Sequence, residues 1–220
     1  MKKIMFNDRY GLTMAVLEGR KTMTRRIIRA PRKFKGVEDV MLEFHSRLGI
    51  CFDCVVCDAD DHELGQLPLP YEVGDVVAVA QSYRAVWDVY QKRWESLHSP
   101  SDWHTPDAIL GDDVQSTAGW SNKMFVKADL MPSTVGITGL WFERMQDITD
   151  EDCLREGIME GEFLNTWDRF YYDCWGSVPN HVTFRTPREA FASLIDRISG
   201  RGTWDSNPWN VVYTMELTSI

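Results

Sequence analysis

Gly19-Arg20-Lys21-Thr22-Met23-Thr24-Arg25-Arg26 follows directly on a short amphipathic run, Tyr10 to Glu18, in which Leu12, Ala15 and Val16 recur at helical spacing. Gly19 stands where a helix C-terminal glycine belongs, because glycine takes the left-handed backbone without a Cβ clash. Just past that stop come the amine of Lys21, the hydroxyl of Thr24 and the guanidinium groups of Arg25 and Arg26. If the turn stays helical, residues three apart share a side. The octet then suits either of two chemistries: holding an anion, or holding a hydroxyl nucleophile beside its base.

The charge around the octet is uneven. The 220-residue chain carries a net charge of -9, yet residues 20 to 35 hold eight basic residues and no acidic one. An acidic body argues against sequence-blind binding to a long duplex, which relies on many phosphate contacts. A local basic patch on that body points to a small anionic ligand or a short nucleic-acid segment, the plain alternative being a solvated turn. Hydrophobic residues at 44% and charged residues at 26% are those of an ordinary globular protein. No apolar run reaches the roughly 18 to 20 residues that span a bilayer. After Met1 to Phe6, Asn7, Asp8 and Arg9 interrupt any signal-peptide core. A cytoplasmic protein that does not engage a membrane is expected.

Further along, Gly74-Asp75 is a turn signal and Val76 to Val79 a buried strand. Met124 to Ala128 and Val135 to Met145 read as strands. Thr149 before Asp150-Glu151-Asp152 caps a helix that runs to Gly157. Thr186-Pro187-Arg188-Glu189 opens another as a capping box with proline at the first helical position. In that second helix Ala190, Phe191, Leu194, Ile195 and Ile198 form one apolar face. Val211, Tyr213, Met215 and Leu217 alternate with Val212, Thr214 and Glu216 in a closing strand. Central strands with short scattered helices do not follow the βαβ alternation of a doubly wound sheet. The pattern fits an α+β, β-rich fold: a small mixed barrel with helices across its ends. Two long stretches, residues 30 to 68 and 88 to 121, read as insertions in one domain spanning 1 to 220.

Each insertion holds one group of notable residues. Cys51, Cys54 and Cys57 form C-x2-C-x2-C near His45 and His62, a set that suits tetrahedral zinc. The second pair of a structural zinc site is missing, and the thiols sit among Ile50, Phe52, Val55 and Val56, where cysteine acts as a small hydrophobe. The expectation is therefore no metal and no cofactor. The second insertion is rich in tryptophan, with Trp87 just before it. Trp87 and Trp94 are candidates for stacking on a base, although most tryptophans serve a core.

Taken together, these pieces resemble the activating-signal-cointegrator-homology (ASCH) family, whose fold is that of PUA domains. The resemblance lies in Gly19 to Arg25, Val73-Gly-Asp75-Val-Val, the Ile148 to Gly157 helix and the Asn207-Pro-Trp-Asn-Val-Val strand. The longer layout is similar to ASCH proteins of bacteria and their phages and prophages. Residues 30 to 68, 88 to 121 and about 160 to 185 lie outside it.

The resemblance implies a PUA-type barrel linked to RNA. In one small bacterial branch it also implies hydrolysis of the acetyl amide of 4-acetylcytidine by a lysine, a threonine three residues on and a glutamate in a later helix. Carried over by motif, these are Lys21, Thr24 and Glu156, and the glutamate could slip to Glu151 or Asp152. Arg20, Arg25, Arg26, Trp87 and Trp94 are the accompanying candidates for ligand contact. Threonine needs a base to take its proton. Lysine is such a base only when burial or nearby cations lower its pKa. Glu156 could protonate the leaving amine, and Arg25 or a backbone N–H could hold the oxyanion. Each residue also has a plain role: Lys21 as a point charge for phosphate, Thr24 in a turn, Glu156 paired in solvent. The expected partner is a nucleoside or short single-stranded RNA. The rivals are a non-catalytic RNA-binding module and a phage accessory protein whose insertions meet a protein partner.

Overall fold

The computed structural model describes residues 1–29, 41–47, 51–57, 60, 62–96, 106–162, 169–172 and 183–218. Its strands are β1 (Lys3–Ile4), β2 (Met23–Ile27), β3 (Met41–Arg47), β4 (Cys51–Cys57), β5 (Glu63–Leu67), β6 (Val76–Val79), β7 (Thr134–Arg144), β8 (Met159–Glu162), β9 (Arg169–Tyr172), β10 (Thr183–Phe184) and β11 (Trp209–Thr218). The helices are α1 (Leu12–Leu17), α2 (Tyr83–Ser96), α3 (Pro106–Leu110), α4 (Asp150–Arg155) and α5 (Pro187–Ser199). The fold is α+β and rich in strand. No helix among the described residues is long and apolar enough to cross a membrane.

The main sheet has the order β1-β6-β7-β11-β2. β1 runs parallel to β6, and the other neighbours are antiparallel. β11 is therefore central, paired to β7 along its whole length and to β2 over residues 210 to 214. Its alternation explains the packing. Val211, Tyr213 and Met215 face the main core with Leu140, Phe191 and Leu194, and each such buried side chain contributes about 1.5–3 kcal/mol. β1 and β2 are the outer strands of this order, and Arg26 on β2 donates through Nη2 to the Met5 carbonyl just past β1, at 2.8 Å. The two ends of the sheet thus approach each other, joined by a side chain rather than by a ladder.

The helix ends follow the expected chemistry. Thr149 accepts from the Asp152 N–H at 3.1 Å and caps α4. Thr186 accepts from the Glu189 N–H at 3.2 Å and caps α5, while Glu189 accepts from the Arg185 N–H. α1 stops at Gly19, whose φ of +72° lies in the left-handed region. The octet does not stay helical: β2 begins at Met23.

Other expectations need correction. Residues 123 to 130 form two short 3-10 turns, Lys123–Phe125 and Ala128–Leu130, instead of a strand. The first part of the second insertion is helical, since α2 extends to Ser96. Within the first insertion, β3, β4 and β5 form an antiparallel meander. β8, β9 and β10 make a third sheet that was not expected. On β4, strand alternation places Cys54 and Cys57 on opposite faces, so these two thiols do not converge. Both are buried, and burial pushes the Cys54 thiol up to about 11.

Candidate functional site

Three separate segments meet at one cavity of about 460 Å³. The turn after α1 supplies Lys21, β2 supplies Thr24, Arg25 and Arg26, and the C-terminal cap of α4 supplies Glu156. α5 closes the opposite side with Phe191, Leu194, Ile195 and Ile198. Its apolar stripe thus has two tasks: Phe191 and Leu194 belong to the main core and also border the cavity, and Ile195 and Ile198 carry that wall outward.

The floor is deeply buried. Lys21 and Thr24 are each 4% exposed, and Glu156 is 5% exposed. The Lys21 ammonium donates to Glu156 Oε2 at 2.5 Å, to the Glu156 carbonyl at 2.7 Å and to the Met23 carbonyl at 2.8 Å. An ammonium has three N–H groups, so all of them are used. Burial pushes the Lys21 pKa down; Glu156 opposes the shift, and Arg26 and Arg25 reinforce it. Among the described residues the Thr24 hydroxyl has no hydrogen-bond partner, and it lines the cavity.

Arg25 is held by carboxylates. Strand alternation turns its side chain away from that of Thr24, yet both line the cavity, β2 being an outer strand of the sheet. Arg25 Nε and Nη2 donate to Glu143 Oε1 at 2.8 and 2.5 Å. Its Nη1 donates to Glu156 Oε1 at 3.1 Å, and Asp152 lies 3.5 Å from Nη2. Trp141 Nε1 donates to the second oxygen of Glu143 at 2.8 Å. The order Trp141, Glu143, Arg25, Glu156, Lys21 is a continuous chain of charge-assisted bonds, the kind that fixes side-chain geometry.

No family model, curated protein or solved structure matches this chain.

The sequence candidates separate on that geometry. Lys21, Thr24, Arg25, Arg26 and Glu156 come together. Of the three acidic positions considered for the helix, Glu156 is the one at the cavity floor; Asp152 reaches Arg25 from the side, and Glu151 is exposed. Glu156 is not paired in solvent with Arg155, which instead contacts Asp152 and Thr22. Arg20 does not line the cavity and pairs with Glu18 at 2.6 Å. Trp87 packs edge-on against Trp120, with centroids 5.9 Å apart, in the second core beneath α2, away from the cavity. Trp94 lies on α2, and its side chain is outside the described residues.

The sequence reading missed Glu143, Trp141, Arg29 and the α5 wall. Glu143 resembles any other polar residue on a half-exposed strand, and only the pairing of β7 with β11 and β11 with β2 carries it to Arg25. The apolar face of α5 was legible, but not that part of it would border a cavity.

Proposed function

We propose that the chain is an ASCH-type, PUA-like domain whose cavity takes a nucleoside, and that it hydrolyses an N-acylated pyrimidine nucleoside such as 4-acetylcytidine. The observation that carries this is the meeting of Lys21, Thr24 and Glu156 at the floor of one cavity. The mixed five-stranded sheet, with its outer strands linked through Arg26 and Met5, supports the barrel part of the reading. The cavity volume falls within the roughly 300–1,000 Å³ usual for small-molecule sites.

The chemistry follows from the hydrogen bonds. With all three of its N–H groups engaged, the Lys21 ammonium is an acid and not yet a base. The 2.5 Å contact gives its proton a path to Glu156. That transfer leaves a neutral amine beside the cavity and a carboxylic acid opposite it, the pair that amide hydrolysis needs. Lys21 takes the Thr24 proton as the hydroxyl oxygen bonds to the acyl carbon. Glu156 gives its proton to the amide nitrogen, the carbon–nitrogen bond breaks and the nucleoside amine leaves. Water then attacks the acyl-threonine ester and gives one proton to the Glu156 carboxylate, Lys21 returns its proton to the Thr24 oxygen as the carbon–oxygen bond breaks, and acetic acid departs, ionising in solvent. Arg25 is committed to Glu143 and Glu156, so in this reading it orients the carboxyl group, and the oxyanion falls to the other donor considered from sequence, a backbone N–H. The rival reading, a non-catalytic RNA-binding module, is favoured by the arginines at the cavity mouth.

Incubation of purified protein with 4-acetylcytidine, followed by chromatography, decides between them. Release of cytidine is expected, with Thr24→Val reducing turnover by at least about 100-fold while the protein stays folded. Absence of turnover with enzyme in stoichiometric amount rules out the hydrolase.

A further inference from the structure

We propose that the mouth of this cavity is a phosphate subsite formed by Arg26 and Arg29, and that the preferred occupant is a nucleoside 5′-monophosphate and not a free nucleoside or a long RNA. The proposal rests on the nucleoside reading above and specifies its ligand.

The cavity is graded from end to end. Lys21, Thr24 and Glu156 are buried at the floor, Arg26 is half-buried, and Arg29, Met5 and Ile198 are exposed. A ligand with its reacting group at Thr24 therefore points its far end at the two arginines. Thr24 and Arg26 lie two residues apart on the same face of β2, about 7 Å along the strand. With the reach of an arginine side chain added, that distance matches the span from the base to the 5′-phosphate of one nucleotide.

The charges at the two ends differ in kind. At the floor, Lys21 and Arg25 are matched by Glu156, Glu143 and Asp152. At the mouth, neither Arg26 nor Arg29 has a carboxylate partner among the described residues, and the cavity lining has no acidic side chain but Glu156. Arg26 is positioned by other means. Its Nη2 holds the Met5 carbonyl, and its guanidinium lies 5.7 Å from the Phe6 ring centroid. That leaves further N–H groups of a preoriented fork open to phosphate oxygens. The facing wall, Phe191, Leu194 and Ile195, is apolar and suits the flat part of a base.

The whole-chain charge selects the length of the ligand. With a net charge of -9, the body repels an extended polyanion, while one phosphate meets only the local positive field.

Equilibrium binding of four probes tests this: cytidine, cytidine 5′-monophosphate, inorganic phosphate, and a ten-nucleotide RNA lacking a terminal phosphate. The monophosphate is expected to bind about ten-fold or more tighter than cytidine, with the advantage shrinking at high salt. Inorganic phosphate should compete with the monophosphate but not with cytidine. Arg26→Gln/Arg29→Gln should remove the advantage, read as the ratio of monophosphate to cytidine affinity within the same variant. Arg29→Gln alone, at an exposed position that cannot disturb the core, should reduce it. Equal affinities for the first two probes, an advantage that survives in the double variant, or tighter binding of the RNA than of the monophosphate overturns the subsite. Turnover of 4-acetylcytidine without phosphate preference overturns the subsite alone. Phosphate preference without turnover of acetylated nucleoside or nucleotide overturns hydrolysis alone. No binding of any probe overturns both.

Discussion

Lys21 is a cation buried at the floor of a cavity, with its stem against Gly157. Its partners, Glu156 and two carbonyls, stabilise the charge, but burial outweighs them and lowers its pKa below the ordinary 10.5. The sign of the pH effect follows. Where the folded state binds fewer protons than the unfolded, stability rises with pH. Unfolding free energy should therefore climb with pH through the alkaline window below 10.5, and Lys21→Met should remove that part of the slope. Urea titrations of both proteins across the alkaline range check this, and identical slopes would contradict it. At neutral pH the same substitution should cost about 2–3 kcal/mol, because it leaves Glu156 buried with Arg25 as its remaining counter-charge. Lys21 and Thr24 were legible in the sequence because they belong to one short motif. Glu143 and Arg29 were not: Glu143 acts through pairing across two strands, and Arg29 is one charge among many in a basic run.

Among the elements, α4 is the shortest helix beside α1 that the site depends on. Its six residues end just before Glu156, and Gly157 then turns the chain with a φ of +104°. A Cβ at Gly157 would lie 3.3 Å from Leu12 Cδ2 and 3.6 Å from Lys21 Cδ. Gly157→Ala should thus cost about 1–3 kcal/mol through backbone strain, with Leu12 giving way slightly and Lys21 left in ordinary contact. Thermal unfolding would register the cost. A variant as stable as the parent would show that this turn is not strained. Elements marked by caps, α4 and α5, were readable because a hydroxyl, a proline and a glutamate each have one good place at a helix start. The turn Lys123–Phe125 misled because Met124 and Phe125 are each 62% exposed, so apolar character did not mark burial there. β4 misled for the opposite reason. Cys54, Val55, Val56 and Cys57 are all buried, so this part of the strand has no polar face and its period of two is silent.

For the molecule as a whole, β11 is the keystone. It joins β7 to β2, and β2 has no other neighbour in the sheet among the described residues. A chain ending at residue 208 should lose cooperative unfolding altogether, as judged by circular dichroism during a thermal scan. Retention of a sharp transition would show that the sheet is not one unit. The α+β character and most main-sheet strands were legible from alternation and turn signals. The third sheet and the meander were not, because their strands are short or lack a polar face.

The contact between Lys21 and Glu156 joins residues 135 positions apart, and Thr24 reaches its place by pairing with Tyr213 at the far end of the chain. Closing loops of that length is among the slower requirements of folding. A partly collapsed chain can have every helix and most strands and still lack the cavity floor. Ligand binding during refolding is therefore a clock for the last step of assembly, and its lag behind the recovery of helix measures how long the chain remains folded in outline but chemically silent.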